Sequence, residues 1–261
     1  MIVCAAAVRF PAAAFGIVRL PADIQRGDIM KSTKQTKPLS EAELSSFDAV
    51  LETVGKLIDD SRKEWKNCAT CSSRGFCTKS GKRLVIGIDG RCGSGKSTLA
   101  GIISEKYGDG KSITVSTDDF FLPKELRTPE RLAKPGGNVH YERFDIEIEP
   151  HIYDRKAFEY RAFDCSIMTY GQTKHIDEAD ILIIEGTYSL RPEWQFLYDL
   201  SIFVTASCET QISRILGRSN KAALESFTSL WIPLEEKYFD AFAIRDSANI
   251  VVCTDAEQQK V

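Results

Sequence analysis

No apolar run in these 261 residues approaches the roughly 20 that a membrane-crossing helix needs. There is no excess of positive charge either: 34 Lys and Arg face 37 Asp and Glu, for a net charge of -3. A protein whose main task is to coat nucleic acid needs a basic face, so that class is excluded, although a local basic site for phosphates is not. The chain has no internal repeat and no low-complexity tract of note. A guanine-reading Asn-Lys-x-Asp pattern is missing, because Asn220-Lys221 runs into Ala222-Ala223. A GTPase switch is thereby set aside. With 43% hydrophobic and 27% charged residues, what remains is a soluble globular chain, long enough for one α/β domain and a modest extension.

The eight cysteines do not form a secreted disulfide framework, since several are scattered through the part that carries the motifs below. A reduced, cytoplasmic setting fits them better. Cys68, Cys71 and Cys77 crowd into ten residues. A structural zinc wants four ligands, and the histidines, at 140, 151 and 175, are all distant, so free thiols are the expectation there. The N-terminus is apolar but broken by Arg9, Pro11 and Arg19, which makes a poor secretory signal. Residues 1–39 read as an unstructured extension, with a faint likeness to a transit segment and Met30 as an alternative start.

Residues 40–81 read as a helix followed by the cysteine-containing loop. Ser40 can cap the helix and Glu43 completes a capping box, after which Leu44, Phe47, Val50, Leu51, Val54 and Leu57 recur at helical spacing. The main domain is expected over 82–261. Leu84–Ile88 suits a strand buried on both faces, and further strands are predicted at 112–116, 181–184, 200–205 and 249–253. Helices are predicted at about 96–107, 209–218 and 223–243. Strands alternating with helices imply a three-layer α/β fold, a central parallel sheet with helices on both faces.

Between the first strand and the first helix of that domain lies Gly90-Arg91-Cys92-Gly93-Ser94-Gly95-Lys96-Ser97-Thr98, which fits G-x4-G-K-[ST]. Phosphate oxygens must be met by inward-pointing backbone N–H groups, and side chains would block that approach. The following helix adds its partial positive charge, Lys96 a full one, and the Ser97 hydroxyl can ligate Mg²⁺. All nine residues, 90 to 98, are candidate nucleotide-binding positions, with Cys92 a small filler more than a reactive thiol. A strand before the loop and a helix after it is the context that makes the motif specific for a P-loop NTPase fold.

Phosphate transfer also needs a group that orients the acceptor. Asp118 and Asp119 follow the second strand, and Glu185 closes Ile181–Ile184, so these acids stand at the ligand-binding edge of the sheet. Asp118 is the candidate catalytic acid, Glu185 joins Ser97 as a candidate Mg²⁺ residue, and Asp119 is a candidate substrate contact; strand-end acids that merely cap turns are the alternative. Arg214 and Arg218 are four apart and share a helical face. As part of a mobile lid near 210–225 they would neutralise transition-state charge; otherwise they are a solvated face.

Taken together, IGIDGRCGSGKSTLA, STDDFFLP, ILIIEGTYSL, YDLSIFVTASCETQISRILGR and WIPLEEKYFDAF resemble the uridine kinase, phosphoribulokinase and pantothenate kinase group of P-loop kinases, over residues 83–253. The resemblance implies ATP and Mg²⁺ as cofactors, Asp118 as the group that takes the acceptor's hydroxyl proton, Lys96 at the phosphates, Glu185 near the metal, and Arg214 and Arg218 in the lid. Uridine kinases carry an Asn-Phe-Asp-His-Pro-Asp stretch that holds the nucleoside sugar. Here Pro135–Phe144 stands in its place, one residue shorter, with His140 where the sugar-binding aspartate is expected. An imidazole does not accept two hydroxyls as a carboxylate does. His140, Tyr141 and Arg143 are the candidate substrate residues of this stretch. The expected activity is transfer of the γ-phosphate of ATP to a uridine- or cytidine-like acceptor. Pantothenate, a sugar phosphate, or a non-catalytic nucleotide-binding regulatory role are the alternatives, and self-association is left open. No nucleic-acid or membrane partner is expected.

Overall fold

The computed structural model describes residues 47–68, 83–153 and 155–255. The expected N-terminal extension, the Ser40 capping box, and Cys71 and Cys77 lie outside these residues.

Seven strands and eight helices are present among the described residues: α1 (Phe47–Cys68), β1 (Leu84–Gly90), α2 (Lys96–Tyr107), β2 (Ser112–Ser116), α3 (Pro129–Leu132), α4 (Tyr141–Glu147), β3 (Phe158–Asp164), β4 (Thr169–Ile176), β5 (Ile181–Glu185), β6 (Leu200–Thr205), α5 (Cys208–Arg218), α6 (Lys221–Ser226), α7 (Ile232–Phe242), α8 (Ile244–Ser247) and β7 (Ile250–Cys253). Five strands make one parallel sheet in the order β2-β5-β1-β6-β7. The chain leaves central β1 to one side for β2 and β5 and to the other for β6 and β7, so a crevice opens at its carboxyl end, where ligands of such sheets bind.

Strand periodicity splits the apolar residues between two cores. Leu84, Ile86 and Ile88 face a core with α1 and α2, while Val85 faces another with Phe144, Tyr160, Trp194 and Tyr238. Both faces of β1 are therefore buried, which explains its nearly unbroken apolar sequence. Val50, Val54 and Ile58 of α1 are fully buried in the first of these cores. The helix expected from residue 40 thus packs on the sheet of the main domain and runs to Cys68, the first cysteine of the segment expected to be a loop.

Two features depart from the sequence reading. The helix predicted over 223–243 runs from Lys221 to Phe242 but contains a π-helical turn at Phe227–Trp231, which separates α6 from α7. Pro233 in the first turn of α7 has no N–H to continue the ladder, and the π-turn accommodates it. The second departure is an antiparallel hairpin, β3–β4, where no strand was predicted. Its signal was the alternation of buried Phe158 and Tyr160 with exposed Glu159 and Arg161. Asp119 fixes this hairpin to the main body, accepting from the Tyr160 hydroxyl at 2.6 Å and from Lys174 Nζ at 2.7 Å.

Candidate active site

The chain turns away from β1 at Gly90, whose φ is 139° and where a Cβ would stand 1.9 Å from the Val204 carbonyl oxygen. Only glycine fits so close to β6. The turn then leads into α2 at Lys96, through Gly95 in a left-handed conformation. Lys96 Nζ donates to the Gly90 and Arg91 carbonyls, each at 2.8 Å, so the loop's own backbone holds the ammonium inside the turn.

A cavity of about 760 Å³ opens on this turn and is lined by Cys92 to Thr98. Asp118, Glu185, Arg214 and Arg218 line the same cavity. Ser97 Oγ donates to Glu185 Oε2 at 3.1 Å. A hydroxyl and a carboxylate in contact are hard oxygen donors of the kind Mg²⁺ takes, so these residues fit that ion. The post-β5 turn is held close by Gly186, whose φ is 128° and whose Cβ would clash with Thr117 Oγ1 at 2.1 Å. Thr117 Oγ1 in turn donates to the Thr187 carbonyl at 2.9 Å, which locks the ends of β2 and β5 together.

Three carboxyls that line the cavity share the field of Lys96. Burial raises the Asp118 carboxyl above its ordinary value; Lys96 opposes the rise, Asp119 adds to it, and Arg218 opposes it more weakly. Asp118 keeps an exposed surface, yet the cleft walls crowd its carboxyl enough to cost it hydration. Burial also raises Glu185, against the Ser97 hydrogen bond and Lys96. The third carboxyl, Glu235 on α7, is buried and raised by burial, with Lys96 again opposing. Its Oε2 accepts from the Cys92 amide at 3.0 Å, while the neighbouring Glu236 pairs with Arg91 at 2.9 Å. The helix named by WIPLEEKYFDAF therefore braces the glycine turn from behind.

That brace settles several of the sequence candidates. Arg91 points to Glu236 and does not line the cavity. Cys92 is buried, with its thiol pushed up to about 12, chiefly by burial and then by Glu235. Burial and the Glu235 carboxylate both disfavour its thiolate. Arg214 is no free lid residue: it donates to the Gly93 carbonyl at 3.1 Å and to Thr254 Oγ1 at 2.8 Å, tying α5 to the glycine turn. Arg218 is exposed on the cavity side, its guanidinium 5.9 Å from the Phe227 ring centre.

The expected substrate contacts Asp119, His140, Tyr141 and Arg143 do not line the cavity. Asp119 holds the hairpin, as described above. His140 Nδ1 lies 3.1 Å from the Tyr170 hydroxyl. Tyr141 is packed between two guanidinium groups, Arg131 at 3.9 Å and Arg191 at 3.7 Å from its ring centre. Arg143 forms a two-point pair with Glu147, both contacts at 2.7 Å. From this stretch the residue that does line the cavity is Asn138, joined from elsewhere by Arg127 and Tyr188. No spacing rule marks these three, because they come from separate loops that only the fold brings together.

Behind the turn, Asp89 is fully buried and its two oxygens accept from the amides of Gly90, Tyr188 and Leu190 and from the Tyr238 hydroxyl. Burial raises this carboxyl to about 6, with the amides of Leu190 and Gly90 and then Lys96 holding it down. Among the described residues no helix is long and apolar enough to cross a membrane.

No family model matches the chain. A uridine kinase of Geobacillus sp. (strain WCH70) is 28% identical over 175 residues, which cover 61% of this chain and 81% of that one. The uridine kinase of Bacillus subtilis (strain 168) is 27% identical over 177 residues, 60% of this chain and 80% of that one. Among solved structures, a D-glycerate 3-kinase from Cryptococcus neoformans superposes with a TM-score of 0.54 at 13% identity, over 77% of this chain and 95% of that one. A structure described as a possible uridine kinase from Bacillus stearothermophilus gives 0.50 at 19% identity, over 74% of this chain and 99% of that one.

Proposed function

We propose that this chain, a P-loop kinase related to the uridine kinases and an ATP-dependent phosphotransferase, phosphorylates a hydroxyl of a nucleoside resembling uridine or cytidine. The observation that carries the reading is the shared cavity: Asp118 faces the same space as Lys96 and the Ser97–Glu185 pair.

The amides of the glycine turn and the start of α2 would cradle the triphosphate, with Lys96 leaving its loop carbonyls for the β- and γ-phosphates. Ser97 and Glu185 would hold Mg²⁺, which when bound offsets negative charge on the phosphates. The acceptor's hydroxyl oxygen attacks the γ-phosphorus in line. The bond from that phosphorus to the β,γ-bridging oxygen breaks, ADP departs with the electron pair, and the hydroxyl proton passes to Asp118. Arg218, on the open side, neutralises charge as it spreads over the transferred group. Positioning and electrostatics supply most of the acceleration.

A second reading of the phosphate acceptor is favoured by Arg127. It is half-buried, its Nε donates to the Leu122 carbonyl at 2.7 Å, and burial lowers its pKa. Among the described residues no carboxylate pairs with it. A forked cation in the cavity wall suits an anionic acceptor such as a sugar phosphate or pantothenate. A transfer screen with γ-labelled ATP across nucleosides, sugar phosphates and pantothenate tests both readings. Uridine or cytidine labelled well above the others is expected, labelling of anionic acceptors alone supports the second reading, and no transfer to any of them contradicts the kinase proposal.

A further inference from the structure

The apolar stripe of α1 does not end inside the core. Val50, Val54 and Ile58 are fully buried, but Phe47, one turn earlier, packs only partly against that core and also lines the cavity. Its Cζ lies 3.5 Å from where a Cβ on Gly95 would stand, so the ring reaches the glycine turn at that residue. Two other side chains that line the cavity meet the turn just before it. Arg214 donates to the Gly93 carbonyl at 3.1 Å, and Thr254 Oγ1 donates to the Ser94 carbonyl at 2.7 Å. Three consecutive residues of the turn, Gly93, Ser94 and Gly95, are thus met in order by Arg214, Thr254 and Phe47.

The sheet order gives this group a place along the ligand. Asp118 comes just after β2, at one edge of the sheet, and Thr254 directly follows β7, at the other, with β1 and its turn between them. Strands lie about 4.8 Å apart in a sheet, which separates the two edges by roughly 19 Å. Helix α1 covers the β7 edge, since Val50 and Val54 share a core with Ile250 and Val252. A nucleoside triphosphate held in the turn with its γ-phosphate toward Asp118 extends its base the other way, toward β6 and β7. At that end the cavity offers a partly uncovered aromatic ring. An aromatic ring covers the flat face of a base with no polar partner needed, and doing so removes apolar surface from water. The Arg214 guanidinium, fixed by Gly93 and Thr254, offers a second plane beside it.

We propose that Phe47 is a nucleotide-binding residue whose ring receives the face of the ATP base, which makes α1 part of the phosphate-donor site. This rests on the transfer reading above, and it concerns the donor, not the acceptor.

The test compares wild type, Phe47→Leu and Phe47→Tyr. Binding of ADP, and of pyrophosphate, which has the phosphates without the base, is followed by calorimetry with Mg²⁺ and no acceptor. Phe47→Leu keeps the packing against the core and removes the ring; Phe47→Tyr keeps the ring. Wild type should bind ADP about tenfold or more tightly than pyrophosphate. Phe47→Leu should weaken ADP about tenfold and leave pyrophosphate unchanged, whereas Phe47→Tyr should retain the wild-type affinity for both. In γ-label transfer, Phe47→Leu should raise the KM for ATP by the same factor with kcat little changed, as expected for binding shared by ground and transition states. Equal loss of ADP and pyrophosphate affinity in Phe47→Leu would mean that the ring only shapes the turn through Gly95, and would overturn the proposal. Unchanged ADP affinity in Phe47→Leu, or wild type that binds ADP no better than pyrophosphate, would overturn it too. All three of these outcomes leave the transfer reading standing. Base-dependent binding that needs Phe47, without transfer to any acceptor, would keep the base site and remove the transfer reading. Wild type that binds neither ligand contradicts both.

Discussion

Asp89 shows how a single carboxyl can set both the geometry and the pH response of the site. Its two oxygens join the end of β1, the post-β5 turn and α7. In the unfolded chain it titrates near its ordinary 3.8, in the folded one at about 6. Between those values the folded state binds the extra proton, so this group's contribution to stability falls as pH rises from about 4 to about 6 and is flat above. Asp89→Asn removes that titration. Denaturant unfolding at pH 4, 5, 6 and 7 should show the wild type losing ground relative to the variant across this window, and a constant difference would contradict the assignment. The sequence offered Asp89 only as a residue between a strand and a glycine. Lys96, Ser97, Asp118 and Glu185 were legible because loop chemistry and strand-end position select them. Arg127, Asn138 and Tyr188 were not, since they come from separate loops that only the fold brings to the cavity.

At the scale of elements, the glycine turn is clamped by three helices. The N-terminal turn of α2 closes it, α7 braces it through Glu235 and Glu236, and α5 through Gln211 and Arg214. The two arginines of α5 should therefore separate. Arg214→Ala removes hydrogen bonds to Gly93 and Thr254, costs about 1–2 kcal/mol for a half-exposed charged donor, and raises the KM for ATP. Arg218→Ala should lower kcat with little change in melting temperature, because among the described residues its guanidinium lies by the Phe227 ring and makes no hydrogen bond or ion pair. Matching effects of the two variants, read by steady-state kinetics and melting, would return both to one shared lid. Sequence spacing put these residues on the same helical face but could not see that one had already found a carbonyl. The π-turn at Phe227–Trp231 was hidden for a related reason: Pro233 is tolerated in a first turn, so its presence alone does not show how the preceding helix adjusts.

Across the whole molecule, the parallel sheet has two cores, and α1 belongs to one of them. The buried stretches Leu84–Ile88, Ile181–Ile184 and Leu200–Thr205 were readable as strands because sheets covered on both faces require continuous apolar runs. The attachment of α1 was less so, since a helix stripe says that a face is buried but not against what. Ile58→Ala should cost about 2–5 kcal/mol and lower the melting temperature of the entire sheet domain, as seen by its catalytic activity and its far-UV signal together. Loss of helix signal at low temperature without loss of activity would mean that α1 is an appendage.

The central claim is that Asp118 steers the acceptor's hydroxyl toward a triphosphate held by the glycine turn. Its most direct measurement is γ-label transfer by Asp118→Asn at saturating ATP, with nucleotide affinity determined in parallel. The account predicts transfer reduced by about 10²- to 10⁴-fold with ATP affinity nearly unchanged. Transfer at the wild-type rate would remove Asp118 from the mechanism, and loss of ATP affinity alone would make it a nucleotide ligand instead.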